Sequence, residues 1–74
     1  MWRVVCNLYG TDTPVWFVCR DLYSGRQQQY VLNANGKPMP FRVEADAYRI
    51  ADSMNANDVT EMTVDEQGGK VAFA

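Results

Sequence analysis

The sequence predicts an α+β fold, an antiparallel β-sheet of four to five strands with one amphipathic helix packed on one face, in the order β-β-β-α-β-β. Three observations predict it. Apolar residues alternate along the first third of the chain, fall at helical spacing through residues 44–55, and return to short β-rich runs around a Gly-Gly turn at the end. With 74 residues there is material for one core, so residues 1–74 are expected to form a single compact domain.

Residues 2–9 alternate, with Trp2, Val4, Cys6 and Leu8 on one side and Arg3, Val5, Asn7 and Tyr9 on the other. Gly10-Thr11-Asp12-Thr13-Pro14 supplies turn chemistry: Gly tolerates positive φ, Asp and Thr bond locally, and Pro lacks the N–H that a ladder needs. Residues 15–23 make a second strand, rich in β-branched and aromatic types and apolar on both faces at its start, as suits a central strand. Beyond Ser24-Gly25, residues 27–33 read as a third strand, followed by the tight-turn pair Asn35-Gly36. Pro38 and Pro40 exclude a well-paired central strand through Met39 and Phe41.

From Glu44 the period changes. Ala47, Ile50, Ala51 and Met54 fall at i, i+3, i+4 and i+7, one face of a helix, and Glu44 and Asp46 suit the positive N-terminal end of its dipole. Asn55 or Asn57 is expected to take the left-handed exit. The tail reads as a second hairpin around Gln67-Gly68-Gly69, with Met62, Val64, Val71 and Phe73 facing inward.

Closing the first hairpin around residues 11–14 sets Tyr9 opposite Trp16, Leu8 opposite Phe17, Cys6 opposite Cys19 and Trp2 opposite Tyr23. That register collects Trp2, Val4, Cys6, Leu8, Val15, Phe17 and Cys19 under the helix stripe. The other face then carries Arg3, Val5, Asn7, Tyr9, Trp16, Val18, Arg20 and Leu22, with no second helix to cover it. A half-exposed antiparallel sheet turns polar residues to water, so this mixture of rings, aliphatics and guanidinium groups is either covered by the C-terminal segment, the Met39–Phe41 loop or a second copy of the chain, or is a contact surface for a different macromolecule. Its candidate partner-binding residues are Arg3, Val5, Tyr9, Trp16, Val18, Arg20 and Leu22. A slip of one residue in the register would exchange the two faces.

Chemistry is sparse. The chain has no His, which removes the usual neutral-pH base and the commonest metal ligand together. Asp65-Glu66 and Glu44-Asp46 sit in turn and helix-start contexts, where carboxylates are solvated charges, and Gly68-Gly69-Lys70 lacks the flanking residues of a phosphate loop. Cys6 and Cys19 lack zinc-site or redox-motif spacing; the default is two free thiols, with a cross-strand disulfide as the alternative in an oxidising setting. No catalytic residue, metal ligand or cofactor is therefore expected.

A net charge of −2 provides no broad basic field for nucleic acid, although Tyr9 and Trp16 beside Arg3 and Arg20 could stack unpaired bases. Met1-Trp2-Arg3-Val4-Val5 begins neither a signal peptide nor a membrane helix, so a cytoplasmic location and no membrane partner are expected. The segment Asn35-Gly36-Lys37-Pro38-Met39-Pro40-Phe41, followed by Ala47, Ala51 and Asn55, resembles a pattern in short proteins of phages and mobile elements, where a Gly turn and a Phe precede an Ala-rich helix closing in Leu-Asn, here replaced by Met54-Asn55. Val43 stands where such proteins often have a Thr helix cap. The resemblance implies a phage-encoded inhibitor of a host defence complex, as anti-CRISPR proteins are, acting by steric contact in the host cytoplasm. The alternatives are a nucleic-acid-binding module on the same aromatics and a structural homodimer.

Overall fold

The computed structural model describes residues 1–8 and 13–64, and the backbone of residues 71–73. The elements run β1 (Arg3–Leu8), β2 (Pro14–Leu22), β3 (Gln27–Tyr30), β4 (Leu32–Asn33), α1 (Glu44–Ala56), β5 (Met62–Val64) and β6 (Val71–Phe73). This is a small α+β fold. Its strands divide into two three-stranded sheets, β1-β2-β3 and β4-β5-β6, and β4 pairs with β5 in parallel, where the sequence suggested one wholly antiparallel sheet.

The two sheets arise because the third predicted strand bends at Val31. Its N–H still donates to Val18 O on β2 (2.9 Å), but its carbonyl accepts from Met39 N (2.9 Å). The chain thus leaves the first sheet after Tyr30 and enters the second at Leu32. Buried Asn33 stabilises the following turn, its Oδ1 accepting from the backbone N–H groups of Asn35 (3.0 Å) and Lys37 (3.1 Å). Gly36 takes φ +78°, a left-handed conformation that a side chain resists. As Pro38 and Pro40 dictate, this segment pairs only at single bridges, Leu32 with Pro38 and Trp16 with Phe41.

Strands β1 and β2 pair antiparallel with Arg3 opposite Cys19, Val4 opposite Val18, Val5 opposite Phe17 and Cys6 opposite Trp16. This differs by three residues from the register expected above, because Pro14 opens β2 opposite Leu8 instead of belonging to the turn. Proline is tolerated as the first residue of a strand, where no ladder donor is lost. Three is an odd number, so the shift exchanges the faces of β2 relative to β1.

One face of the first sheet therefore carries Trp2, Val4, Trp16 and Val18. Onto it pack Ala47, Ile50, Ala51 and Met54 of α1, together with Val31, Phe41, Met62 and Val64, forming the core. All four predicted helix positions are buried. Met62 and Val64 face inward as expected, and β6 pairs with β5 antiparallel; the side chains of Val71 and Phe73 and the turn at 67–69 lie outside the described residues.

The helix begins at Val43, which has extended backbone and offers no side-chain cap. It ends through Asp58, which takes the left-handed φ of 50°, whereas Asn57 has φ −109° and Asn55 remains helical. Asn55 has a different task. Its Oδ1 accepts from Trp2 N (2.7 Å) and its Nδ2 donates to Trp2 O (3.0 Å), so one carboxamide closes both backbone groups of Trp2 as a neighbouring strand would. Trp2 is further tied by its indole Nε1, which donates to Val59 O (2.8 Å).

Candidate functional site

The seven residues expected on one contact surface do not share one. Val18, only 1% exposed, lies in the core, and half-buried Trp16 packs against that core on the helix-covered face. Arg3 and Val5 project from the opposite face, where Val15, Phe17 and Cys19 are buried and the Phe17 and Tyr30 rings meet edge to face at 6.1 Å. Tyr9 lies outside the described residues. The stacking platform proposed for Tyr9 and Trp16 therefore loses its Trp16 half, and the cause is the odd register shift.

The same shift separates the cysteines. Cys6 is exposed and faces Trp16 across the strands, whereas buried Cys19 faces Arg3 on the other side of the sheet, so both thiols are free. Burial pushes the Cys19 thiol above its ordinary pKa; the Arg3 charge opposes this and the Asp21 charge adds to it.

Arg20 is an internal latch. Its Nε donates to Gln29 Oε1 (2.7 Å), its Nη2 to Thr60 O (3.3 Å), and its guanidinium lies 5.0 Å from the Trp2 ring centroid. Gln29 Nε2 donates to the same Thr60 carbonyl (2.8 Å). Together these contacts fasten the segment preceding β5 to β3 and engage two of the Arg20 donors expected above to meet a partner.

Leu22, the last of the seven, leads to a different site. It lines a groove of about 450 Å³ bounded by Gln27, Gln28, Gln29, Tyr30 and Leu32 on one side and Glu61, Met62 and Thr63 on the other. The groove has a strand-level cause. Leu32 lies beside Thr63 in the parallel pairing of β4 with β5, and continuing that register backwards would put Glu61 beside Tyr30. Pairing instead stops at Leu32, and the groove is the wedge left where the strands part.

The edge of β3 faces this wedge with backbone groups available. Trp16 exchanges both of its backbone bonds with Phe41, on the side of β2 away from β1. Alternation then turns the N–H and C=O of Arg20 and Leu22 toward their β3 partners Gln29 and Gln27. The N–H and C=O of Gln28 and Tyr30 consequently point outward, and they have no backbone partner among the described residues. Apolar Leu22, Leu32 and Met62 with polar Gln27, Gln28 and Thr63 make a mixed lining whose charged member is Glu61.

The hairpin ahead of the groove carries strain. Tyr23 and Ser24 both have positive φ, 52° and 58°, which costs non-glycine residues about 1–2 kcal/mol each, and Tyr23 is 73% exposed. Both are the central residues of the turn that Gly25 N closes by donating to Leu22 O (3.2 Å), where a tight hairpin turn requires positive φ. The sequence signal that could have marked this site is Gln27-Gln28-Gln29, polar on both faces, which belongs on a sheet edge.

Among the described residues no cluster of three or more His, Cys, Asp or Glu is placed to hold a metal ion, and no helix is long and apolar enough to cross a membrane. Comparison of the chain with protein-family models, characterised proteins and solved structures finds no match.

Proposed function

We propose that the chain is a non-enzymatic binding protein that takes up an extended segment of another protein in the groove beside β3. The observation that carries this reading is the wedge itself, an open groove alongside the outward backbone groups of Gln28 and Tyr30. An added strand would satisfy those groups, while Leu22 and Leu32 offer apolar contact for alternate side chains. The carboxamide of Gln27 supplies a donor and an acceptor, and that of Gln28, whose Oε1 accepts from the Tyr30 hydroxyl (2.9 Å), supplies a donor, which suits peptide groups.

Glu61 favours a neutral or cationic segment and repels a phosphate backbone, so the groove supports a polypeptide over nucleic acid. The resemblance of residues 35–55 to short proteins of phages and mobile elements, a group that includes inhibitors of host defence, extends the proposal: the partner is a component of a host defence complex, blocked by occupancy in the host cytoplasm.

The test is capture from a host extract with two groove variants. Gln28→Pro removes an outward N–H and spares the bonds to β2, and Tyr30→Ala removes a groove wall. Both are expected to lose the captured protein while keeping a folded circular-dichroism spectrum. Undiminished capture by folded Gln28→Pro refutes the groove, and association with single-stranded RNA or DNA at low salt would favour the nucleic-acid alternative.

A further inference from the structure

The first sheet has a second edge, β1, and its hydrogen-bonding state follows from its neighbours. Cys6 stands opposite Trp16, whose N–H and C=O both engage Phe41, and Val4 stands opposite Val18, whose carbonyl accepts from Val31. Opposed residues in an antiparallel pair share one bonding state, so Val4, Cys6 and Leu8 turn their backbone groups away from β2. Trp2 follows the same alternation, and its outward groups are the ones closed by Asn55. The edge is therefore sealed at Trp2, while Val4, Cys6 and Leu8 have no backbone partner among the described residues.

We infer that this open edge, residues 4–8, pairs with the same edge of a second copy of the chain, antiparallel about a two-fold axis at Cys6. The register is set by the seal. Outward-facing residues must oppose outward-facing residues, and a partner strand that ran across Trp2 would displace Asn55. The pairing centred on the open segment puts Cys6 against Cys6 and Val4 against Leu8, so all three outward positions are satisfied in each copy. The segment Val4-Val5-Cys6-Asn7-Leu8 carries no charge, so self-pairing opposes no like charges, and it has neither the Lys nor the Pro that blocks edge addition. Leu8, 62% exposed, would be covered.

Five residues a side is about a fifth of the roughly 20–30 that each partner contributes to a standard interface, so the dimer is weak and concentration-dependent. Its position is nonetheless specific. Across the pair the two Cys6 Cα atoms lie about 5.5 Å apart, whereas two residues at position 8 are offset by four residues, or about 14 Å along the strand.

The experiment uses a short bis-maleimide, each arm of which adds one thiol across its double bond, on the full chain at millimolar concentration. The native chain is expected to give dimer linked through Cys6, at least tenfold more than the paired substitution Cys6→Ser with Leu8→Cys. Leu8→Pro, which removes an outward N–H at an exposed position and keeps Cys6, is expected to cut the Cys6-linked dimer at least fivefold with an unchanged circular-dichroism spectrum. Equal linking through positions 6 and 8, or no loss in folded Leu8→Pro, overturns the register. A native chain that stays monomeric by sedimentation and unlinked at Cys6 overturns the proposal and assigns the edge to a foreign strand.

Discussion

Replacing Asn55 by Ala measures how strongly the helix is stitched to the first strand. Two hydrogen bonds are lost, from Trp2 N to Oδ1 (2.7 Å) and from Nδ2 to Trp2 O (3.0 Å). At about 1 kcal/mol net each they contribute about 2 kcal/mol, and Ala recovers about 0.5 kcal/mol of helix propensity. A net loss near 1.5 kcal/mol follows, rising toward about 3 kcal/mol if water cannot reach the Trp2 backbone, since Trp2 is only 4% exposed. For a domain of this length that lowers Tm by roughly 6–12 °C, and urea denaturation should give the same free energy from the midpoint. Asn55→Asp sharpens the test. Its carboxylate still accepts from Trp2 N–H but presents a second acceptor to Trp2 O, so the variant should be less stable than the native chain at pH 7. Near pH 4 the protonated carboxyl can donate, and the deficit should shrink. A loss below 0.5 kcal/mol in Asn55→Ala, or no pH dependence of the Asp deficit, would refute the account of Asn55 as a surrogate strand.

Val43→Asp supplies the helix cap that Val43 lacks and should raise stability by about 1 kcal/mol in the same urea assay. Ser24→Gly relieves a left-handed residue at φ 58° and should leave stability equal or improved by up to about 1 kcal/mol, read from Tm. Met54→Ala empties a fully buried site and should cost about 2–5 kcal/mol, a large part of the total stability of so small a domain; calorimetry would show a much reduced or absent transition. Cys19, whose thiol pKa is raised by burial, binds its proton more tightly folded than unfolded. Its contribution is thus complete below the ordinary thiol pKa and declines as pH rises through the folded value, so denaturation midpoints should fall above about pH 8.5, and Cys19→Ala should flatten that slope.

The parts of this molecule legible in the sequence are those controlled by local periodicity. The stripe Ala47, Ile50, Ala51 and Met54 is recognisable because a 3.6-residue period has one buried solution, and the proline-interrupted segment around Met39 is recognisable because Pro lacks a donor. Register was not legible. Leu8 opposite Pro14 and Leu8 opposite Phe17 are both compatible with the alternation of β1, and only the length of the connection distinguishes them. That choice moved Trp16 and Val18 from the expected contact surface to the core side and Phe17 and Cys19 away from it. The transfer at Val31 was likewise hidden, because Tyr30, Val31 and Leu32 read as an uninterrupted strand until Met39 competes for the Val31 carbonyl. The groove follows from that transfer, which is why Gln27 to Tyr30 were recognised as a strand but not as a site.

The ties from Trp2 to Asn55 and Val59 span 53 and 57 residues. On a ribosome adding about 5–20 residues per second, Val59 is made roughly 3–11 s after Trp2, whereas a hairpin such as β1–β2 closes in microseconds. Until Asn55 and Val59 have been made and docked, the β1–β2 hairpin has neither the Asn55 clamp nor the α1 face, and its outer edge at Trp2 is unsealed. The seal at Trp2 is thus the last feature of β1 to be installed.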